Sequence, residues 1–432
     1  MPQLRLPPPL PDVRPVRPRS RLFRFNTSML TLLHPYILPV IQDYPGGLLP
    51  LRVSDGTIKL VIKAPKEVLL AARMNRGFKI YVVPVDLRGV KTCGLISAFF
   101  DDADQPLILQ TPLFEADDVR DLVTALLMPE LDVHLFDEHG RELLGYHATL
   151  DQVSQTRDLL RSTASALRPF SMEAAREVFD QMPRWFSLRG PDDDAASITF
   201  NFRETLVPDD LFIQDLRPEN HSFQGSAPFS STTLVREEPG AFQERDIALL
   251  LQRIFAPNEI YLNPKRITDG EEIADLIVAS ATHVIFIQAK DSPNTEKVLK
   301  NALDRKRATA LKSLRKAVGQ LRGAFRYSRS GSPMRMMVDG SVVEMPLDGK
   351  QLRGLVVMKE LFSLDYSKYT PPLLQLSEES GVPCVPLDYP ELHMYTAHLS
   401  DEDSLVGALD RVYAVGRNSG RFPRLRLGLT ET

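Results

Sequence analysis

The chain has 432 residues, a formal net charge of −4, 43% hydrophobic residues and 25% charged residues. That length exceeds one small core and implies two or three domains of ordinary globular composition. No apolar run approaches the roughly 18 residues of a membrane span, and the N-terminus lacks the apolar core of an export signal. The two cysteines, Cys93 and Cys384, lie far apart with no CxxC, which argues against a disulfide framework or a thiolate metal site and fits a reducing cytoplasm.

Residues 1–24 are rich in Pro and Arg and read as an extended, disordered arm, because proline blocks helix and ladder alike. Residues 25–206 read as an α+β domain of unknown role, for recognition or regulation. Strands are expected at 56–64, 79–87 and 91–100, a helix at 116–127, and a hairpin over 131–150 turning at Glu138–Gly140. Helices near 155–167 and 172–182 and a strand at 197–206 complete it. His134, His139 and His147 fall in the hairpin. Their spacing lacks a Cys or acid to complete a ligand set, so they read as surface or structural histidines. From Asp101 to Gly140 there are eleven acids and one base, Arg120. Such a face repels DNA and suits either a protein partner or the chain's own basic surface.

Residues 207–240, rich in Pro, Ser, Asn and Gly, read as a linker. The pattern then changes. An amphipathic helix opens at 241 with Ile247, Leu250, Leu251 and Ile254 at helical spacing and Glu244 near its apolar face. A strand is expected at 259–267, then two more strands, Ile273–Val278 and Val284–Lys290. A long helical region follows over 295–328, then a hairpin turning at Asp339–Gly340, strands at 353–362 and 382–389, and a helix opened by Pro390. This half, 241–415, reads as an α/β domain with a mixed central sheet, and 416–432 as a tail.

The chemistry concentrates at 271–290. Asp275 is an acid inside an apolar strand, a costly position unless something binds it. Gln288 and Lys290 share one face of the next strand. Asp275, Gln288, the carbonyl of Ala289 and Glu244 offer hard oxygens of the kind that suit Mg²⁺ or Mn²⁺. Lys290 adds a positive charge that could orient water or stabilise a developing phosphate charge. The plainer alternatives are a structural Asp275–Lys290 ion pair, Glu244 as a first-turn acid favoured by the helix dipole, and Gln320 as a solvated helix residue. Glu271 shares the Asp275 face and reads as a solvated strand end or an extra ligand.

An acid on one strand, Gln-Ala-Lys ending the next and a helical Glu before them resemble the PD-(D/E)xK nuclease superfamily, most closely its Mrr-like restriction endonuclease branch. The resemblance covers about residues 240–400. It implies a restriction-endonuclease-like fold and metal-dependent DNA cleavage, with Asp275, Gln288, Ala289 and Glu244 around the metal and Lys290 as the catalytic lysine. It also implies a role for Gln320 on the following helix. The chain departs from the pattern in two places: Ile273-Ala274 replace the usual proline before the acid, and Tyr327 lies seven residues after Gln320 rather than four.

Between Lys290 and Arg335 there are thirteen Lys or Arg and three acids. Lys312, Lys316 and Gln320 recur every four residues, with Arg315 beside them, so this helix is the expected track for a DNA backbone. The leading expectation is a Mg²⁺-dependent endonuclease acting on DNA, with a role in defence against foreign DNA by analogy alone. Cutting both strands would call for a homodimer. The alternatives are a nuclease-like domain that binds nucleic acid without cutting, since Gln288 supplies no charge to a metal, and a protein-interaction scaffold.

Overall fold

The computed structural model describes residues 28–102 and 105–424; the Pro/Arg-rich arm and the last eight residues lie outside them. The chain is a mixed α/β protein built around two sheets.

The first sheet has eight strands: β1 (Gly47–Arg52), β2 (Ile58–Lys63), β3 (Gly77–Leu87), β4 (Val90–Phe99), β5 (Leu107–Pro112), β6 (Glu130–Phe136), β7 (Glu142–Asp151) and β8 (Ile198–Val207). Their spatial order is β1-β2-β6-β7-β8-β3-β4-β5, antiparallel throughout except for β2 beside β6. Irregularities in the β6/β7 and β7/β8 ladders bend the sheet. The edges β1 and β5 come into contact, so the sheet nearly closes on itself. Its concave side is filled by Leu60, Ile62, Phe78, Ile80 and Leu95 together with helix α1 (Lys66–Met74), whose Val68–Ala72 are all buried. Helix α2 (Asp117–Leu126) joins the same core. Helix α3 (Met172–Ser187) packs Ala175, Val178, Met182 and Phe186 on Tyr81, Val83 and Ile96.

The expected strands and hairpin of this half are present. Beta1, β5 and α1 are additional: β1 and β5 carry prolines at Pro50 and Pro112, and α1 is only nine residues long.

The stretch 207–240 is packed rather than a free linker. Ile213–Asp215 pair with Ser230–Thr232. Leu234 is buried in the core of the first sheet and Phe223 in that of the second.

The second sheet has five strands: β9 (Ile260–Leu262), β10 (Leu276–Ala279), β11 (His283–Lys290), β12 (Gln351–Met358) and β13 (Cys384–Asp388), in that spatial order. The first two pairings are antiparallel and the last two parallel. Helix α4 (Gly240–Leu251) precedes it and packs on β9 and β11. Helix α5 (Leu303–Ser328) makes the crossover that two parallel strands require between β11 and β12. Helices α6 (Tyr366–Ser380), α7 (Tyr389–His398) and α8 (Glu402–Ser419) complete the layer.

Pattern reading omitted α6 because Pro371 and Pro372 interrupt it; both sit in its second turn, where each removes a donor that the i to i−4 ladder would use. The expected strand 259–267 is broken at Asn263, which has φ 49°, so only Ile260–Leu262 join the sheet and Lys265–Arg266 pair with Met334–Val338. The 295–328 region divides into Glu296–Leu299 and α5. The tail assigned from 416 is helical to Ser419.

Alpha5 lies over the face of β11 that carries Phe286, whose ring meets Phe325 edge-on at 5.6 Å. Gly354 on β12 permits this seating: a Cβ there would come within 2.7 Å of Cys384 Sγ and 2.9 Å of Phe325 Cζ.

Candidate active site

Asp275 sits immediately before β10, not in the middle of a strand as expected from the sequence. The ladder that pairs Leu276 with Ile287 would, one step further, set Asp275 opposite Gln288, and directly opposed residues share a face. Lys290 is two residues on and shares it too. That face is the one α5 covers at Phe286, so the three side chains emerge where the helix cover ends.

Three oxygens gather around one cationic atom. Lys290 Nζ lies 3.1 Å from Asp275 Oδ2, 2.7 Å from the Ala289 carbonyl and 3.5 Å from Gln288 Oε1. The Ala289 N–H also donates to Asp275 Oδ2 at 2.6 Å. Asp275 and Gln288 are 5% and 2% exposed, so this arrangement is shielded from water on most sides. In such a setting the Coulomb attraction between ammonium and carboxylate is stronger than at a surface, and the desolvation of both charges offsets much of it.

Glu244 reaches the same place from the second turn of α4. Burial lifts its carboxyl above the ordinary range, and the neighbouring Asp275 carboxylate pushes the same way, as does Glu272. A hydrogen bond from Asn263 and the charge of Lys290 oppose the rise. Asn263 was not singled out from the sequence. Its backbone N–H donates to the Asp275 carbonyl at 3.0 Å, its left-handed conformation turns the chain after β9, and its Oδ1 is buried without a partner among the described residues. The Asn263-Pro264 dipeptide, a turn-forming pair, is the signal that marks it. Glu271 faces Arg266, 3.3 Å away, and is exposed.

The donor set fits a divalent cation in kind. Among the described residues no group of three or more His, Cys, Asp or Glu is arranged to hold a metal. The oxygens here are instead two carboxylates, an amide and a peptide carbonyl, the hard ligands of Mg²⁺ and Mn²⁺. Three of the four converge on Lys290 Nζ, and a cation entering the set would take oxygens from that ammonium.

On α5, Lys312, Lys316 and Arg315 are exposed. Arg315 turns toward α6, lining a groove of about 510 Å³ with Arg322 and Lys368, so the basic residues form two faces rather than one track. Gln320 is half-buried and its Oε1 has no partner among the described residues. Helical spacing puts Ser313, Lys316, Gln320, Gly323 and Tyr327 on one stripe. One end of it lines the cavity beside Lys290, and at the other the Tyr327 hydroxyl donates to the Arg335 carbonyl at 2.6 Å.

The acidic N-terminal half turns several of its charges inward. Asp101 pairs with Lys306 of α5 at 2.7 Å, and Glu67 pairs with Lys359 at 2.6 Å. Behind them, Asp246 of α4 is buried among Arg141 (3.1 Å), Lys66 (3.6 Å) and Arg236 (3.6 Å), and Asp137 receives Arg141 at 2.7 Å. The histidines separate. His134 meets Glu142 at 2.8 Å, His147 meets Asp132 at 2.8 Å, and His139 lies tilted to Tyr389 and edge-on to His393.

No helix among the described residues is long and apolar enough to cross a membrane. Comparison with known proteins returns no matching family model, no matching curated protein and no matching solved structure.

Proposed function

We propose that this chain is a metal-dependent nuclease that hydrolyses phosphodiester bonds in DNA. The observation that carries the reading is the convergence of Asp275 Oδ2, Gln288 Oε1 and the Ala289 carbonyl on one cationic point at the end of β11, with Glu244 close by. The element order adds support: helix α4, three antiparallel strands, crossover helix α5 and a parallel fourth strand is the frame implied by the PD-(D/E)xK resemblance.

A Mg²⁺ or Mn²⁺ ion would be held by Asp275, Gln288, Ala289 and Glu244, and when bound it supplies Lewis-acid polarisation of the scissile phosphate. The chain's own groups do the rest. Lys290 carries three donors on a flexible stem, so it can leave the internal oxygens to hydrogen-bond a phosphate oxygen or an attacking water. Glu244, held toward its protonated form by burial and Asp275, ionises as positive charge accumulates and can then accept a proton. Lys312 and Lys316 would contact backbone phosphates, and Gln320 would turn its unpartnered oxygen toward the site.

A second reading has its own observation. Lys290 Nζ already satisfies the three oxygens, and Gln288 brings no charge, so the same geometry suits a structural ion pair in a domain that binds nucleic acid without cutting it.

Conversion of supercoiled plasmid to nicked or linear DNA separates the two. Wild type is expected to cut with Mg²⁺ or Mn²⁺ and not in EDTA, and Asp275→Ala and Lys290→Ala are expected to lose cleavage. Binding without cleavage at any metal concentration would favour the second reading, and equal cleavage by all three proteins would remove the assignment.

A further inference from the structure

Beside Lys290 the two halves of the chain enclose a cavity of about 230 Å³. Its floor is apolar, with Leu107 from the first sheet and Val298, Met358 and Phe362 from the second half. Its rim carries Lys290, Arg305, Lys306 and Lys359 beside four carboxylates, Glu67, Asp101, Asp291 and Glu360. The volume lies below the several hundred cubic ångströms typical of drug-sized ligand sites, which limits an occupant to about one flat ring system with its charged group.

Two of the three lysines are held by carboxylates from the other half of the chain. Asp101 meets Lys306 at 2.7 Å and Glu67 meets Lys359 at 2.6 Å. None of these four side chains is more than about a quarter exposed. Burial pushes the Lys359 ammonium down to about 7, the Glu360 carboxylate opposes this and Lys66 adds to it. A phosphate offers more negative charge and more acceptor oxygens than a carboxylate, and competes for the same ammonium groups. The apolar floor offers a base the unspecific contact that single-stranded sites use, and Asn294 on the wall, whose Nδ2 donates to the Leu234 carbonyl, has an Oδ1 with no partner among the described residues.

We propose that this cavity binds one phosphate-bearing nucleotide, its base on the Met358–Phe362 floor and its phosphate on Lys306 and Lys359, and that Glu67 and Asp101 compete with that phosphate. The nucleotide is either free or one unit of a bound strand; the strand case rests on the nuclease reading above, and the free case does not.

The test uses the full chain in EDTA, so that cleavage does not intervene. Deoxyadenosine 5′-monophosphate binding is followed by calorimetry, and a fluorescein-labelled single-stranded 12-mer by anisotropy. Glu67→Gln with Asp101→Asn keeps side-chain size and is expected to tighten at least one probe by about tenfold or more, because two competing anions are removed. Lys306→Gln, which leaves the Glu67–Lys359 pair intact, is expected to weaken the same probe by a similar factor. Circular dichroism melting confirms that each variant folds. A response of the mononucleotide identifies a free-nucleotide site, and a response of the 12-mer alone identifies a strand subsite. If neither probe responds to the carboxamide pair while Lys312→Ala with Lys316→Ala weakens the 12-mer, the cavity proposal fails and the nuclease reading stands. If the mononucleotide responds while wild type cuts no plasmid with Mg²⁺ or Mn²⁺, the nuclease reading fails and the cavity proposal stands. If no variant binds either probe, the cavity proposal fails.

Discussion

Lys290 and Glu244 make opposite demands on the same few cubic ångströms. The ammonium gathers three oxygens, while Glu244 is pressed toward its neutral form by burial and by Asp275. The Glu244 carboxyl has a folded pKa above its ordinary 4.5, so the native state binds more protons than the unfolded state just above that pH. Stability therefore falls as pH rises from about 4.5 through the folded value. In EDTA, wild type should lose melting temperature over that window more steeply than Glu244→Gln. Mg²⁺ at about a hundred times its Kd should add about 2.7 kcal/mol to wild type and much less to the variant. Melting curves across pH with and without Mg²⁺ check both, and parallel curves for the two proteins would count against a cation site. Gln288→Glu adds the missing charge and should tighten Mn²⁺ binding; calorimetry that finds no change would mean that the Gln288 side chain does not face the cation.

The frame that presents these residues depends on how α5 seats on β11 and β12. Gly354 lies under Phe325 and beside Cys384, where a Cβ would be too close to both. Gly354→Ala should overpack this contact and cost about 1–3 kcal/mol, and Phe325→Ala should leave a cavity costing about 3–5 kcal/mol. Urea denaturation measures both, and a neutral Gly354→Ala would show that α5 can shift without penalty. Much of this frame was legible in advance. The apolar runs of β10 and β11, the helical stripe of α4 and the Asp339-Gly340 turn each announced an element that is present. What stayed hidden had physical reasons. Pro371 and Pro372 masked α6, since proline inside a helix removes ladder donors and reads in sequence as a break. Asn263 broke a strand through a backbone conformation that composition does not display. The site residues were recognised as a group, but the capture of the Ala289 carbonyl by Lys290 is a matter of side-chain reach that spacing cannot supply.

Across the whole molecule, the two halves are locked by buried charge. Asp246 has its carboxyl held well below the carboxylate range: burial opposes this, and Arg141, Lys66 and Arg236 outweigh it. A depressed folded pKa contributes stability above the ordinary value of 3.8 and loses it as pH falls through the folded value. Asp246→Ala, which leaves Arg236 without its carboxylate while Arg141 and Lys66 keep Asp137, should cost about 3–5 kcal/mol, and its melting temperature should fall less on acidification than that of wild type. The same closeness of the two halves brings Asp101 and Glu67 to the cavity beside Lys290, so the fold couples the N-terminal half to the candidate site. All of this gains its functional meaning from one claim, that the oxygens around Lys290 serve phosphodiester hydrolysis. The most direct measurement is the rate of plasmid cleavage by Lys290→Ala relative to wild type at saturating Mn²⁺. The expected result is a loss of about 10²–10³-fold or more, as for removal of a group that stabilises transition-state charge, with DNA affinity nearly unchanged. Equal rates in the two proteins, or no metal-dependent cleavage by wild type, would contradict the claim.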